Sequence, residues 1–314
     1  MKKRLLFLLL LFIWFFPSLG WGQAKVGTAG AQFLEIGVSA RAVGMGEAFL
    51  GVVDDAAALY YNPGGMTQLN KKEILLTHIE YPADINYEFV GLVYPAPQFG
   101  GVWGLAFYML NAGDMPLRTF LGPGMDSSSS TGLTFSAKEY ALGLSYARNL
   151  TDRFSVGVTL KGIVEQYEEE KASGWALDMG TLYNTGFKGF KIAMVLSNFG
   201  PDLKFIQEAY PLPMNFKFGG SMEVLNRGNH KAIFSLEGSH PNDNLEKFNA
   251  GLEYSYRNFF SLRLGQKFQY DSGDFSVGGG VKFPFSKYTL KVDYGYFHFG
   301  FLENVHRFSL GLSF

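Results

Sequence analysis

The chain has 314 residues, a formal net charge of −1 and no cysteine. Near-neutral charge gives no reason to expect a nucleic-acid partner, and the missing thiols exclude disulfides and thiolate chemistry. Hydrophobic residues make up 47% and aromatic residues 17%, with 39 glycines, yet mean hydropathy is only +0.04. That balance excludes a bundle of membrane helices and favours polar and apolar residues interleaved one by one, as in sheets.

In chain order, Lys2, Lys3 and Arg4 precede an apolar run, Leu5–Phe16, which Pro17 closes. Small residues follow at Ser18, Gly20, Gly22 and Ala24. Residues 1–24 therefore read as an export signal, cut after Gly20, Gly22 or Ala24, with the mature chain starting near Lys25. The run is shorter than the ~20 residues a spanning helix needs, and no later run approaches ~18.

Residues 25–72 are rich in small side chains and poor in charge. Ser39–Leu50 and Asp55–Tyr61 suit short helices. Asp54 or Asp55 can cap the second, because a carboxylate accepts from unpaired N–H groups of a first turn. Asn62-Pro63 ends it, since a residue before proline avoids the helical region, and Gly64-Gly65 permits a reversal. Such a segment suits a plug inside a barrel lumen. The alternative is a free periplasmic domain, for which some forty residues without disulfide or metal are too few to hold a core. Inside a lumen, Arg41 needs an acidic partner, with Glu165, Glu237, Glu253 and Asp293 as candidates.

From Glu73 to Phe314 the chain alternates at period two, in about fourteen segments separated by turn residues. The first spans 73–82 and the last 304–314. Segments at 100–111, 137–149, 173–184 and 188–198 lie between them. Tight connections at Asn149–Asp152, Arg257–Asn258 and Phe285–Ser286 alternate with longer ones at 111–137, 167–172, 199–213 and 298–304. An even count of strands, long enough to cross a bilayer at a tilt, predicts a 14-stranded antiparallel transmembrane β-barrel with both termini periplasmic.

One face of the segments carries Glu139, Lys161, Glu165, Lys217, Glu223, Glu237, Glu253, Arg263, Lys267, Lys282 and Asp293. The other is mostly Phe, Tyr, Leu and Val. Arg148 is an exception, placed at a strand end from which it can snorkel. A soluble secreted sandwich or propeller would turn the apolar face inward. A membrane barrel turns it to lipid and the charges to the lumen. The export signal, the aromatic content and the C-terminus favour the barrel. There Phe308, Leu310, Leu312 and Phe314 alternate with polar residues to the last position. Paired and lipid-facing, they suit the signal read by outer-membrane assembly machinery, which with outer-membrane lipid is an expected partner. On this assignment Leu310→Arg and Val158→Arg should be costly, and Ser309→Lys and Thr159→Lys milder.

No HExxH, P-loop or Gly-x-Ser-x-Gly motif occurs, so no enzyme activity and no cofactor or metal is expected. His78, His230, His240, His298 and His306 fall near strand ends and read as interfacial polar residues. Glu168–Glu170 with Lys171 and Ser127–Ser130 read as external loops.

The stretch Phe33–Met66, "FLEIGVSARAVGMGEAFLGVVDDAAALYYNPGGM", resembles the N-terminal region of the PorV/PorQ family within the wider FadL-like barrels. The resemblance rests on Phe33–Ile36, Ala40–Ala42, Met45–Ala48, Asp54–Ala56 and Asn62–Gly65; Gly64 stands where many relatives have alanine. It marks Arg41, Met45, Gly46, Asp54, Asp55, Asn62, Pro63, Gly64 and Gly65 as the plug motif. It implies a role in type IX secretion, with secreted cargo and other secretion components as partners that dock on loops 111–137 and 199–213. The alternative is a FadL-like passive transporter of hydrophobic molecules. A solute would then leave through a gap in the wall, with Asn198, Gly200 and Pro201, Gly100-Gly101 or Gly278–Gly280 as places for it. A purely structural barrel is the third reading.

Overall fold

The structure, a computed structural model, describes residues 26–118, 130–300 and 304–314. The expected export signal and Ser127–Ser129 lie outside the described residues. Period two in the sequence becomes a ladder of strands: β1 (Glu73–Tyr81), β2 (Ile85–Ala96), β3 (Gly101–Arg118), β4 (Ser130–Asn149), β5 (Phe154–Tyr167), β6 (Glu170–Asn184) and β7 (Lys191–Phe199). A short hairpin, β8 (Leu203–Phe205) and β9 (Glu208–Tyr210), interrupts it. The ladder resumes with β10 (Asn215–Arg227), β11 (His230–Pro241), β12 (Lys247–Tyr256), β13 (Phe260–Phe268), β14 (Phe275–Phe285), β15 (Tyr288–Phe297) and β16 (Val305–Ser313). Every strand but β8 and β9 joins one closed antiparallel barrel in chain order, so the barrel has the expected fourteen strands.

Closure is made by β1 on β16, in register from Glu73 opposite Ser313 to Glu80 opposite His306. Phe314 donates its backbone N–H to Lys72 O at 2.9 Å, so the last residue is tied down. Residues 73 and 313 thus share one end of the barrel, the near end. The other end, which carries the β1–β2, β3–β4 and β7–β10 connections, is the far end.

Side-chain direction follows the alternation. Leu144 and Leu160 on the outer face are 53% and 54% exposed, whereas Lys161, Glu165, Glu253 and Arg263 on the inner face are buried. A wall that turns leucine and phenylalanine out and carboxylates in is inside-out for water and right for hydrocarbon. Arg148, on the outer face at the near end, is exposed as expected.

Three connections differ from the expectation. The β3–β4 pairing runs beyond residues 111 and 137 to Arg118 and Ser130, with register shifts between Asn111 and Asp114 and between Pro116 and Arg118. The alternation fails there, but backbone pairing needs no alternation. The β5–β6 connection is a tight turn at Glu168–Glu169, because Glu170 already pairs with Tyr167. The stretch 199–213 is no free loop. Its hairpin turns inward, burying Leu203 and Leu212 in the core that holds Phe33 and Leu34, and Pro211 O accepts from Gly30 N at 2.9 Å.

Candidate functional site

Residues 39–69 fill the lumen from its near end to its middle, and the residues before them run along the far mouth, where Ala31 N donates to Glu165 at 2.9 Å and Gln32 to Asp243 at 2.6 Å. Helix α1 (Ala40–Gly44) is capped by Ser39, whose Oγ accepts from Ala42 N. Helix α2 (Ala58–Tyr61) ends at Asn62 in an extended conformation, and a 3-10 turn, Pro63–Gln68, follows. Both helices are shorter than the sequence suggests. Small residues let the segment turn often, and the wall supplies many of its hydrogen bonds: Ser309 Oγ accepts from Ala40 N at 2.9 Å, Ser276 Oγ from Gly46 N at 3.1 Å and Glu73 Oε1 from Ala56 N at 3.0 Å. Strand glycines mark where the plug backbone lies directly on the wall. A Cβ on Gly265 would stand 1.9 Å from Gly46 N, and one on Gly157 2.3 Å from Pro63 C. Only glycine fits such an approach.

The plug motif divides between two parts of the wall: Arg41, Asp54 and Asp55 meet at β12–β15, whereas Asn62, Pro63 and Gly64 lie on β5 and β6. Arg41 is buried and forms a bidentate pair with Glu253, both bonds at 2.8 Å. Its Nη1 also donates to Asp55 at 2.8 Å and to Asp54. Glu253 accepts in turn from Arg263 at 2.6 Å, and Arg263 reaches Asp293 at 2.7 Å. Of the four candidate partners for Arg41, Glu253 is therefore the one used, and the wider cluster binds the plug to β12, β13 and β15. Asp55 also accepts from Ala57 N at 3.0 Å in the turn that leads into α2, while the N-cap itself, Ala57, has no side-chain cap, so neither aspartate caps the helix as expected. Asp54 is partly accessible at the lumen side of the plug, and although the enclosed site disfavours its charge, Arg41 beside it holds the carboxyl below its ordinary range. Glu47 behaves alike: burial is outweighed by Lys267 and Arg307.

Asn62 is fully buried. Its amide donates to Leu50 O at 3.1 Å and Thr181 O at 3.0 Å, and its Oδ1 accepts from Gly64 N at 3.0 Å. Met45 is buried with its carbonyl carbon close to Gly265, and Gly65 lies against Val53. A Cβ on Gly64 would meet Gly180 O at 2.8 Å, so alanine at this position needs the wall to give way.

The far half of the lumen is different. Between the plug and the far rim lies a cavity of about 330 Å³. Lys217, Lys247, Lys267 and Arg307 line it, with Glu35, Glu47 and Glu237, and with Tyr60, Tyr270 and Phe297. Each of the three lysines stands over an aromatic ring: Lys217 over Tyr60 at 5.8 Å, Lys247 over Tyr270 at 5.0 Å and Lys267 over Phe297 at 4.5 Å. Glu47 pairs with Arg307 at 3.2 Å and Lys267 at 3.9 Å. Glu237 accepts from Phe49 N and Leu50 N at the plug surface. Asn215 Oδ1, Asn249 Oδ1, Tyr61 Oη and Arg307 Nε, all on lining residues, have no protein hydrogen-bond partner. Period two places Lys217, Glu237 and Lys267 on the inner face, but their convergence on one void depends on how the plug sits, and nothing local in the sequence carries that.

At the far rim, Asn198 takes a left-handed φ of 58°. The β6–β7 register shifts between Leu177 and Met179. Asp178 accepts from Asn198 N at 2.8 Å and pairs with Lys161 at 2.9 Å; the Asn198 amide donates to Pro213 O at 3.0 Å. The irregularity is stitched closed, and a Cβ on Gly200 would stand 2.3 Å from Trp175 O. Pairing is regular at Gly101, opposite Ala96, and at Gly278–Gly280. On β16, Phe308, Leu310 and Leu312 face outward and are exposed, as is Phe314 just beyond it. The five histidines sit exposed at strand ends with single polar partners. Among the described residues, no group of acidic or histidine side chains could hold a metal.

No protein-family model matches the chain, and no curated protein matches its sequence. Solved structures do match. The monoaromatic hydrocarbon channel CymD is 13% identical at a TM-score of 0.56, with 88% of this chain and 96% of that one covered. The toluene transporter TbuX of Ralstonia pickettii is 13% identical at 0.57, covering 88% and 97%. A FadL homologue from Pseudomonas aeruginosa is 11% identical at 0.57, covering 88% and 98%. The chain therefore shares the fold of the FadL-like outer-membrane channels over nearly the whole length of each.

Proposed function

We propose that this chain is an outer-membrane channel that passes small molecules with an aromatic-sized apolar body and an acidic or strongly accepting polar group. The lined cavity directly above a plug carries the reading. Its rings can receive an apolar body, and Lys217 and Lys247 lack a carboxylate partner within ion-pair distance among the described residues. The solved channels with this fold, named for toluene and monoaromatic hydrocarbons, support an apolar solute. A wholly apolar one would leave these charges desolvated and unpaired, which is costly. Passage requires the plug to shift, and the β6–β7 register shift beside Asn198–Pro201 is one break in the wall's regular pairing. Both termini are periplasmic on this reading, residues 1–24 are the export signal, and β16 carries the assembly signal.

A secretion role of PorV/PorQ type rests on the motif in Phe33–Met66 alone, and its expected docking loop 199–213 is folded into the lumen mouth. Uptake into proteoliposomes tests the proposal. Benzoate should enter faster than toluene, and Lys217→Gln with Lys247→Gln should remove that preference. Uptake of neither above protein-free vesicles, with recovery of secreted proteins sharing a C-terminal domain from detergent extracts, would return the secretion reading.

A further inference from the structure

We infer that the near rim of the barrel is a binding surface for anionic phospholipid headgroups. Lys71 and Lys72 lead into β1, and Arg148 and Arg153 flank the β4–β5 turn; all four are exposed. Lys188, Arg227, Arg257 and Lys287 follow, one at each remaining near-end connection from β6–β7 onward, and all are exposed too. None of these eight makes an ion pair among the described residues. The rim's acids are few: Asp152, and Glu223, which Lys231 holds at 2.7 Å. The far rim has the opposite sign, with Asp84, Glu168–Glu170, Asp271 and Asp274 exposed.

Unpaired cations repel one another, so a ring of them implies an anion supplied from outside. The rings beneath them say which. Lys72 stands 4.6 Å over Tyr94, Lys188 5.5 Å over Phe187, Arg257 5.3 Å over Tyr256 and Lys287 5.3 Å over Tyr288. Tyr94, Phe187 and Tyr256 are exposed on the outer surface among the apolar residues of the wall. An aromatic ring at that level sits at the bilayer interface, and a cation above it reaches the headgroups. Guanidinium and ammonium groups there match the phosphodiester of a lipid that carries no compensating amine. A soluble polyanion would meet the cations from the end of the barrel and would not need them over outward rings.

The inference rests on the membrane reading above, and the test separates the two. The full chain is reconstituted in nanodiscs of phosphatidylcholine with about a quarter phosphatidylglycerol, a surface potential of the physiological kind. Lipids retained after mild detergent release are then counted by native mass spectrometry. Phosphatidylglycerol should be retained severalfold above its bulk share, and the enrichment should fall in about 0.5 M salt, where charges are screened within a few ångström. Lys72→Gln, Lys188→Gln, Arg257→Gln and Lys287→Gln combined should return retention to the bulk share. Neutralising Glu168, Glu169, Asp271 and Asp274 on the far rim should leave it unchanged. A barrel that inserts in phosphatidylcholine but shows no preference, or keeps it in the near-rim variant, overturns this inference alone. Failure to insert in any lipid overturns the membrane reading and this inference with it.

Discussion

The two halves of one lumen are built from the same strands and differ in what they enclose. The near half is filled. Plug backbone lies on strand glycines, and Arg41 ties the plug to Glu253, with Arg263 behind it. The far half is open, with lysines over aromatic rings and polar atoms without protein partners. Inner-face position therefore does not set a residue's role; whether the plug reaches it does. The same side chain is a structural tie in one half and a solute contact in the other.

The contrast predicts unequal outcomes for matched substitutions. Arg41→Met takes the shared cation from Asp54, Asp55 and Glu253, the last of which keeps Arg263, and should cost about 3–5 kcal/mol, read from denaturant unfolding of the detergent-folded barrel. Lys247→Met, in the cavity, should cost well under about 1 kcal/mol, as expected for an unpaired, partly hydrated charge. Equal losses would erase the difference between the halves. Leu310→Arg and Val158→Arg on the outer face should cost about 2–4 kcal/mol in lipid. Ser309→Lys departs from the sequence expectation of mildness. Ser309 Oγ accepts from Ala40 N and bonds Thr77 at 2.8 Å under the plug, so lysine there should cost about 1–3 kcal/mol through overpacking. Thr159→Lys should fare no better, since Thr159 is fully buried and bonded to Ser145. Ser239→Lys, on a cavity-lining residue, should be tolerated. The smallest effect is that of acid. Asp54 and Glu47 both titrate below their ordinary values in the folded protein, so their stabilisation is complete above the usual carboxylate range and is lost as pH falls through the depressed values. Plug residues should become protease-sensitive in acid before the wall unfolds; a plug equally protected there would contradict the assignment.

Strand number, face assignment and the plug's place were legible because period two and composition are local signals. The same signals mark β16 and the inner glycines, yet they do not say that Gly265 meets Gly46 or that Gly157 meets Pro63, since those contacts join residues far apart in the chain. Glu253 appeared only among four candidates for Arg41, because a closed wall turns every inner carboxylate toward the same axis. The β8–β9 hairpin was missed for a related reason: Leu203 and Leu212 look like loop residues until the lumen mouth gives them something to cover. The cavity's lysines were placed on the correct face, but their convergence arises where the plug ends, which no periodicity encodes.

The absence of cysteine allows a direct test of the central claim, that apolar residues face lipid while charged ones line a partly filled interior. Leu144→Cys, Lys247→Cys and Ala42→Cys would be exposed singly to a membrane-impermeant maleimide in intact membranes. Rapid labelling at 247 is predicted, with none at 144 and labelling at 42 only after the plug is loosened. Labelling at 144 as fast as at 247 would contradict the account.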